Sequence, residues 1–273
     1  MTGVIRLLIS DIDGTVVRPD KTLAEATVVA FGRLREAGIA ASLISARPPS
    51  GMVGIAEELG IVHPLAAFNG GTIFTADGQV QARARLKPDV VQTALALAEN
   101  HSVDIWLFAE GCWYARAADN PRVLCERLSA QIEPTLVSDL TAVDACVDKI
   151  VFVSEDNADL QRLEYRARTC IGTGATISLS QPYFLDVTAL AANKGDGVEE
   201  LARMMGVPLA ATAVIGDMTN DLPMFTRAGM SIAMGQAPGE VRAAADWVTA
   251  SDAEDGAASA IDHLLMRIVE PAT

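Results

Sequence analysis

Short apolar runs alternate along the chain with longer segments in which apolar residues recur every three or four positions. The run 4–9 predicts a buried strand, and the sequence TLAE at 22–25 has the pattern of a capping box that starts a helix. Further short strands are predicted at 39–44 and 62–68, with a second helix between them. This alternation of strand and helix predicts a doubly wound parallel sheet.

The pattern changes after residue 70, where 72–74 and 79–81 around Asp77-Gly78 predict a hairpin. The next strands are predicted at 104–108, 149–153, 176–179 and 183–187, and the next helices at 89–100 and 158–169. The first pattern resumes near Asn193, with a helix to Met205, strands at 211–215, 231–234 and 247–249, and helices at 239–245 and 256–268. We therefore predict an α/β fold in which residues 1–82 and 191–273 form a Rossmann-like core and residues 83–190 form an inserted α+β domain.

The composition is typical of a globular α/β protein, with half of the 273 residues apolar and only 5% aromatic. The formal charge of −14 argues against nucleic acid or an anionic membrane as the main partner. No apolar run approaches the roughly 20 residues of a membrane helix, and the N-terminus lacks the pattern of a signal peptide. The four cysteines are widely spaced, which favours free thiols in a reducing cytoplasm.

Two carboxylates, Asp11 and Asp13, follow the first predicted strand. Open α/β sheets bind ligands at the carboxyl ends of their strands, and alternate residues of a strand share a face. A carboxylate can attack phosphorus as a nucleophile, and a second carboxyl group can move protons. The pair is a first indication of phosphoryl transfer, although on its own it is equally typical of a turn or a helix cap.

Three further polar groups are expected at the same edge of the sheet. The run 45–47 (Ser-Ala-Arg) follows the second strand, Lys194 precedes a helix, and the run 216–221 (GDMTND) follows a late strand. Taken singly, they are typical of a helix N-terminus, a solvated lysine, and turn or cap residues. Their order and their shared placement at strand ends favour a single site.

With DIDGT at 11–15 and GDMTND at 216–221, the chain resembles the haloacid dehalogenase (HAD) superfamily, and within it the Cof-type phosphatases with a class IIB cap. The signature covers both core segments, and the inserted domain matches the family's cap in position and size. The resemblance implies an enzyme that forms an aspartyl-phosphate. It implies that Asp11 is the nucleophile and that Asp13 is the general acid and base.

The resemblance also implies a Mg²⁺ site. Its ligands would be the carboxylates of Asp11 and Asp217 and the backbone carbonyl of Asp13, with Asp221 acting through water or from outside the coordination sphere. Magnesium prefers oxygen ligands and retains bound waters. Asp13 favours an oxygen leaving group over a halide, because expulsion of halide needs no acid at this position.

The phosphate-binding groups implied by the resemblance are the hydroxyl of Ser45, the ammonium of Lys194 and the amide of Asn220. Ile12 and Ala46 would contribute backbone N–H groups. The family commonly has Thr-Gly-Arg where this chain has Ser-Ala-Arg. Serine keeps the hydroxyl, whereas Ala46 adds a methyl group where glycine lets the backbone approach the phosphate freely.

The resulting hypothesis is a Mg²⁺-dependent cytoplasmic phosphatase that acts on a small phosphorylated metabolite, such as a sugar phosphate or a phosphoglycolate-like compound, as a monomer or homodimer. Two alternatives stay open at this point. One is a phosphosugar mutase built on the same core, and the other is a non-catalytic protein that binds a phosphometabolite.

Four residues of the inserted domain are of secondary interest. Trp106, Trp113 and Tyr183 are expected to pack in a core rather than to line a pocket. Asp186 lies on a predicted strand before Lys194 and is expected to orient that lysine or to contact substrate.

Overall fold

The computed structural model describes residues 4–99, 101–143 and 145–269. Residues 1–3, 100, 144 and 270–273 lie outside this part of the chain, and residue 100 is the last residue of the predicted helix 89–100. Its strands are β1 (Leu7–Ser10), β2 (Ala40–Leu43), β3 (Leu65–Ala67), β4 (Thr72–Phe74), β5 (Val80–Arg83), β6 (Asp104–Ala109), β7 (Cys112–Ala115), β8 (Pro134–Leu136), β9 (Val147–Val153), β10 (Ala175–Gln181), β11 (Phe184–Ala189), β12 (Thr212–Gly216), β13 (Met230–Ala233) and β14 (Trp247–Val248). Its helices are α1 (Glu25–Glu36), α2 (Ser50–Glu58), α3 (Pro88–Ala98), α4 (Val123–Ala130), α5 (Asn157–Ile171), α6 (Lys194–Met204), α7 (Leu222–Phe225), α8 (Gly239–Ala244) and α9 (Gly256–Val269). Across the described ranges, no helix combines the length and the hydropathy needed to cross a bilayer.

The first and last parts of the chain share a five-stranded sheet in the order β14-β13-β12-β1-β2, and all four strand pairs are parallel. Helices cover both faces. Leu8 of β1 packs in an apolar cluster with residues of α1 and α9, whereas Leu7 and Ile9 pack in a cluster with residues of α6 and α8. Both faces of β1 are therefore buried, as expected for a central parallel strand. The predicted α/β class is confirmed.

A second sheet is built between β5 and α6, in the order β10-β11-β9-β6-β7-β8. Its pairs are antiparallel except for β7 with β8. Helices α3 and α5 pack on one face. The other face carries Trp106, Phe108 and Trp113 in the same apolar cluster as core residues, and the ring centroids of Phe68 and Phe108 are 6.0 Å apart. We call the part of the chain that contains this sheet the cap. The exact domain boundaries, 82/83 and 190/191, stay a prediction.

The segment between the two sheets contains the predicted hairpin. β4 and β5 pair antiparallel around Asp77-Gly78, which confirms that prediction. β3 is shorter than the predicted strand 62–68, because it starts only at Leu65 after Pro64, which has no amide hydrogen to donate. β3 pairs antiparallel with β4, and a single parallel bridge from Ile44 to Ala66 joins it to the end of β2.

The predicted capping box at 22–25 is wrong. Helix α1 begins at Glu25, and its N-cap residue Ala24 makes no side-chain capping bond. Thr22 instead donates its backbone amide and its hydroxyl to Asp20, at 3.1 and 2.6 Å. This local turn competes successfully for the hydroxyl that the capping box would have used.

Candidate active site

The carboxyl ends of three neighbouring strands meet at one edge of the core sheet. Asp11 follows β1, Ser45 follows β2 and Asp217 follows β12. Helix α6 begins at the same edge with Lys194, and the side chain of Asn193 caps it by accepting a bond from the backbone N–H of Asp196 at 2.9 Å. The sheet topology therefore brings together side chains that are almost 200 positions apart in sequence, as for Lys194 and Asp11, with a separation of 183.

Lys194 is buried between two carboxylates. Its Nζ lies 2.5 Å from Oδ1 of Asp11 and 2.6 Å from Oδ1 of Asp221. Burial alone would lower the pKa of Lys194, but the two carboxylates raise it above its usual value. The side chain is therefore an ammonium that donates to both acids.

The carboxylates outnumber this ammonium. Burial raises the pKa of Asp11 to about 7, with a further contribution from Asp221, while Lys194 acts in the opposite direction. Burial also raises the pKa of Asp217 well above its usual range, and both Asp11 and Asp221 add to that rise. Three acids around one ammonium therefore favour either the uptake of protons or the binding of a further cation.

Both carboxylate oxygens of Asp221 accept hydrogen bonds from other groups of the protein. Oδ1 accepts from Lys194, and Oδ2 accepts from the backbone N–H groups of Asp217 and Met218 at 2.7 and 2.8 Å. These bonds fix the turn that follows β12 and hold Asp217 next to Asp11. The contacts favour a positioning role for Asp221 over direct contact with a ligand.

The buried acids fit a divalent cation. Carboxylate oxygens of Asp11, Asp217 and Asp221 all lie within 4.8 Å of one another. Oδ1 of Asp217 is buried and has no hydrogen-bond partner among the described residues. A set of oxygen donors with one unsatisfied buried oxygen is chemically suited to Mg²⁺ or a similar hard cation.

Gly14 makes room for this arrangement. Its φ is +76°, and a Cβ atom at this position would collide with the Asp217 carboxylate. Glycine is the residue that adopts positive φ without a steric cost. The DIDGT motif therefore supplies both an acid and the space in which a second acid sits.

Asp13 is held by two cations. Arg47 donates from Nε to Oδ2 at 2.7 Å and from Nη2 to Oδ1 at 2.8 Å, and Lys21 donates from Nζ to Oδ1 at 2.6 Å. Burial would raise the pKa of Asp13, but Arg47 and Lys21 hold it well below its usual range. In this arrangement Asp13 is a carboxylate.

The loop after β2 is anchored through its backbone. The hydroxyl oxygen of Ser45 accepts from the backbone N–H of Arg47 at 3.2 Å, and the carbonyl of Ser45 accepts from the backbone N–H of Asn69 at 2.7 Å. The side-chain amide of Asn220 donates to Oδ1 of Asn69 at 3.1 Å. Ser45 and Asn220 are thus held on either side of Asn69, at the same edge of the sheet as Asp11.

The cap contacts this loop directly. Nζ of Lys149 on β9 donates to the carbonyl oxygen of Ala46 at 2.9 Å and lies 3.7 Å from Oδ2 of Asp186 on β11. Asp186 therefore pairs with Lys149 and not with Lys194, because β9 and β11 are hydrogen-bonded neighbours in the cap sheet. The expectation that Asp186 orients Lys194 is wrong.

A cleft that is open to solvent lies between the core loops and the cap. Of the predicted site residues, it is lined by Asp11, Asp13, Ser45, Ala46 and Asn220. Lys194, Asp217 and Asp221 are buried around Asp11, and the side chain of Ile12 packs in the apolar core.

Several cleft residues were not predicted as part of the site. Lys21, Glu126 and Lys149 line the cleft, and so does Tyr183, which was expected to pack in a core. Trp106 and Trp113 are buried, as expected. Lys149 had a signal in the sequence, since it directly precedes the apolar run 150–153, and a lysine in a buried strand rarely lacks a partner.

The chain is similar to a described protein family and to individual known proteins. The sequence pattern of the haloacid dehalogenase-like hydrolases matches residues 8–261. An HMP-PP phosphatase of Escherichia coli O6:H1 is 27% identical over 238 residues, which are 87% of this chain and 87% of that protein. A haloacid dehalogenase-like hydrolase of Bacteroides thetaiotaomicron is 28% identical, with a TM-score of 0.82 over 95% of this chain and 99% of that chain.

A sugar phosphatase of HAD subclass IIB, BT4131, is 25% identical, with a TM-score of 0.83 over 96% of this chain and 99% of that chain. The motif-based resemblance is thereby confirmed. The chain belongs to the haloacid dehalogenase-like hydrolases, as a Cof-type phosphatase that hydrolyses phosphomonoesters.

Proposed function

We propose that this enzyme is a Mg²⁺-dependent phosphatase of a small phosphorylated metabolite, a sugar phosphate or a phosphoglycolate-like phosphomonoester, and that it forms an aspartyl-phosphate on Asp11. The observation that supports this most directly is the buried pair of Asp11 and Lys194, with Asp13 in the same cleft. Similarity to an HMP-PP phosphatase and to a sugar phosphatase supports a small phosphorylated substrate.

Asp11 attacks phosphorus through a carboxylate oxygen, so the P–O bond to the leaving group breaks as a bond from Asp11 to phosphorus forms. Repulsion between the carboxylate and the phosphoryl oxygens opposes this approach. Lys194 reduces the repulsion, since its ammonium lies 2.5 Å from the attacking residue. Water then hydrolyses the aspartyl-phosphate and restores Asp11.

Asp13 carries the proton in both half-reactions. It protonates the leaving oxygen and then takes a proton from the attacking water. Arg47 and Lys21 hold it as a carboxylate in this structure. Proton donation therefore requires two changes when the substrate enters: these cations turn towards the bound phosphoryl group, and Asp13 takes up a proton from water or from a protonated phosphate group.

The remaining groups bind phosphate and metal. The hydroxyl of Ser45, the amide of Asn220 and the backbone N–H groups of Ile12 and Ala46 would donate to phosphoryl oxygens. The carboxylates of Asp11 and Asp217 and the backbone carbonyl of Asp13 would hold Mg²⁺. When bound, the ion supplies Lewis-acid stabilisation of charge on the phosphoryl oxygens.

A panel of phosphorylated metabolites tests the proposal, with release of free phosphate measured with and without Mg²⁺. We expect Mg²⁺-dependent release for at least one sugar phosphate and none from Asp11→Asn. Formation of a phosphosugar isomer without free phosphate would assign a mutase instead. Tight binding without turnover on the whole panel would assign a binding protein. A cytoplasmic location and a monomer or homodimer stay predictions from the sequence.

A further inference from the structure

Glu126 is a buried acid for which the proposed chemistry has no use. It lies on α4 of the cap, lines the cleft that contains Asp11 and Asp13, and is 7% exposed. Neither of its carboxylate oxygens makes a hydrogen bond or an ion pair with any residue in the described ranges. Its oxygens keep some contact with water in the cleft, so the carboxylate is mostly buried and yet available to a ligand, and its position there needs an explanation.

The nearest cations do not provide that explanation. Lys149 and Arg47 attract the Glu126 carboxylate electrostatically, yet burial still raises the pKa of Glu126. Arg47 directs its donors to Asp13 and to the carbonyl of Gly51. Lys149 directs its ammonium to the carbonyl of Ala46 and faces Asp186.

The other cations around the cleft are paired as well. Lys21 donates to Asp13 and, like Arg47, turns to the transferring phosphoryl group in the proposed reaction, while Lys194 donates to Asp11 and Asp221. Among the described residues that line the cleft, no cation is left over for a second anionic group. The cap residues that line the cleft also include polar uncharged ones, namely Ser129, Ser180, Gln181 and Tyr183.

We propose that Glu126 is the residue that selects the leaving group, by accepting hydrogen bonds from hydroxyls of a neutral, polyhydroxylated alcohol. The inference rests on the proposed phosphatase function and, of the two substrate classes named there, selects the sugar phosphate over the carboxylate-bearing phosphoglycolate type. A leaving group with hydroxyls satisfies the buried carboxylate. A leaving group with its own phosphate or carboxylate is repelled by Glu126 and meets no free cation.

The variant Glu126→Gln tests this inference, because it keeps the size of the side chain and removes the charge. The measurement is kcat/KM in saturating Mg²⁺ for glucose 6-phosphate, fructose 1,6-bisphosphate and 4-nitrophenyl phosphate. Glu164→Gln is the matched control, since Glu164 lies on α5 of the cap and pairs with Arg168 away from the cleft.

We expect the wild type to prefer glucose 6-phosphate over the bisphosphate. Glu126→Gln should lower the ratio of kcat/KM for glucose 6-phosphate to that for 4-nitrophenyl phosphate by about tenfold to a hundredfold, the range for a hydrogen bond to a charged group. The loss should fall mainly on KM. Glu164→Gln should leave the ratio unchanged.

Thermal unfolding separates this role from a structural one. A carboxylate retained for substrate destabilises the free protein, so Glu126→Gln should keep or raise the unfolding midpoint. A lower midpoint with equal losses on all substrates would overturn the inference, as would an unchanged ratio or a wild-type preference for the bisphosphate. Absence of any phosphate release from the wild type would overturn the proposed function, and the inference with it.

Discussion

Gly14 illustrates how a single residue controls the candidate metal centre. The positive φ of this glycine and the closeness of the Asp217 carboxylate leave no space for a side chain. An alanine here would have to adopt an unfavourable backbone conformation and would also displace Asp217. The backbone effect can be measured separately from the displacement of Asp217, because another glycine in the chain has a positive φ but no neighbour that a Cβ would meet.

We predict that Gly14→Ala destabilises the fold by about 1–2 kcal/mol, the cost of a left-handed conformation for a residue with a Cβ. It should also raise the Mg²⁺ concentration for half-maximal activity at least tenfold. The control is Gly38→Ala, because Gly38 has φ +75° and nothing within 4 Å of a Cβ. The control should show a similar stability cost without a change in Mg²⁺ requirement. An equal change in both variants would contradict the account of Gly14.

The sequence predicts the acidic residues of the site better than it predicts their hydrogen-bond partners. Asp11, Asp217 and Lys194 could be placed together because each follows a strand or starts a helix at a common edge. The bonds from Lys21 and Arg47 to Asp13 could not be predicted, because they depend on how two long side chains fold back over a loop. Glu126 belongs to no sequence motif. Its place in the cleft depends on how α4 packs against the core, which the sequence alone does not show.

Helices α2 and α4 form a close contact between core and cap. The hydroxyl of Ser50 donates to the carbonyl of Ala130 at 2.6 Å, and a Cβ at Gly51 would collide with the carbonyl of Ser129. Gly51 therefore allows α4 to approach α2 closely. Because α4 also carries Glu126, this contact sets the position of the cap side of the cleft.

We predict that Gly51→Ala displaces α4 and lowers kcat/KM for the sugar phosphate substrate about tenfold, with a lower unfolding midpoint. Gly54→Ala is the matched control on the same helix, since nothing lies within 4 Å of its Cβ. Alanine is favoured over glycine in a helix, so the control should be more stable by about 0.5–1 kcal/mol and fully active. Normal activity in Gly51→Ala would show that α4 tolerates displacement.

The order of helices and strands in the core was predictable because apolar periodicity dominates there. The failures occur where a local interaction overrides the pattern. Thr22 bonds to Asp20 instead of capping α1, and Pro64 delays the start of β3. The pairing of Asp186 with Lys149 depends on the order of strands in the cap sheet, which sequence alone does not reveal.

The whole molecule carries a formal charge of −14, and buried acids concentrate negative charge at the active site. A cation that binds the native state and not the unfolded chain stabilises the protein by mass action. Bulk salt also screens the repulsion among surface acids, so the ionic strength must be matched in any comparison.

We predict that Mg²⁺ raises the thermal unfolding midpoint, whereas NaCl at equal ionic strength has a smaller effect. The stabilisation should reach about 2.7 kcal/mol at a hundred times the dissociation constant. Asp217→Asn should abolish the Mg²⁺-specific shift and should be more stable than the wild type without metal, because it removes a buried repulsive carboxylate. A Mg²⁺ shift that persists in Asp217→Asn would place the ion elsewhere.

Trapping the covalent intermediate tests whether Asp11 is the nucleophile. The measurement is peptide mass spectrometry after rapid acid quenching of the enzyme during turnover, with borohydride reduction to mark an acyl-phosphate. We expect a phosphoryl group on the peptide that contains Asp11, reduction of Asp11 to homoserine, and neither modification in Asp11→Asn. Turnover with an unmodified Asp11, or a phosphoryl group on another residue, would contradict this role of Asp11.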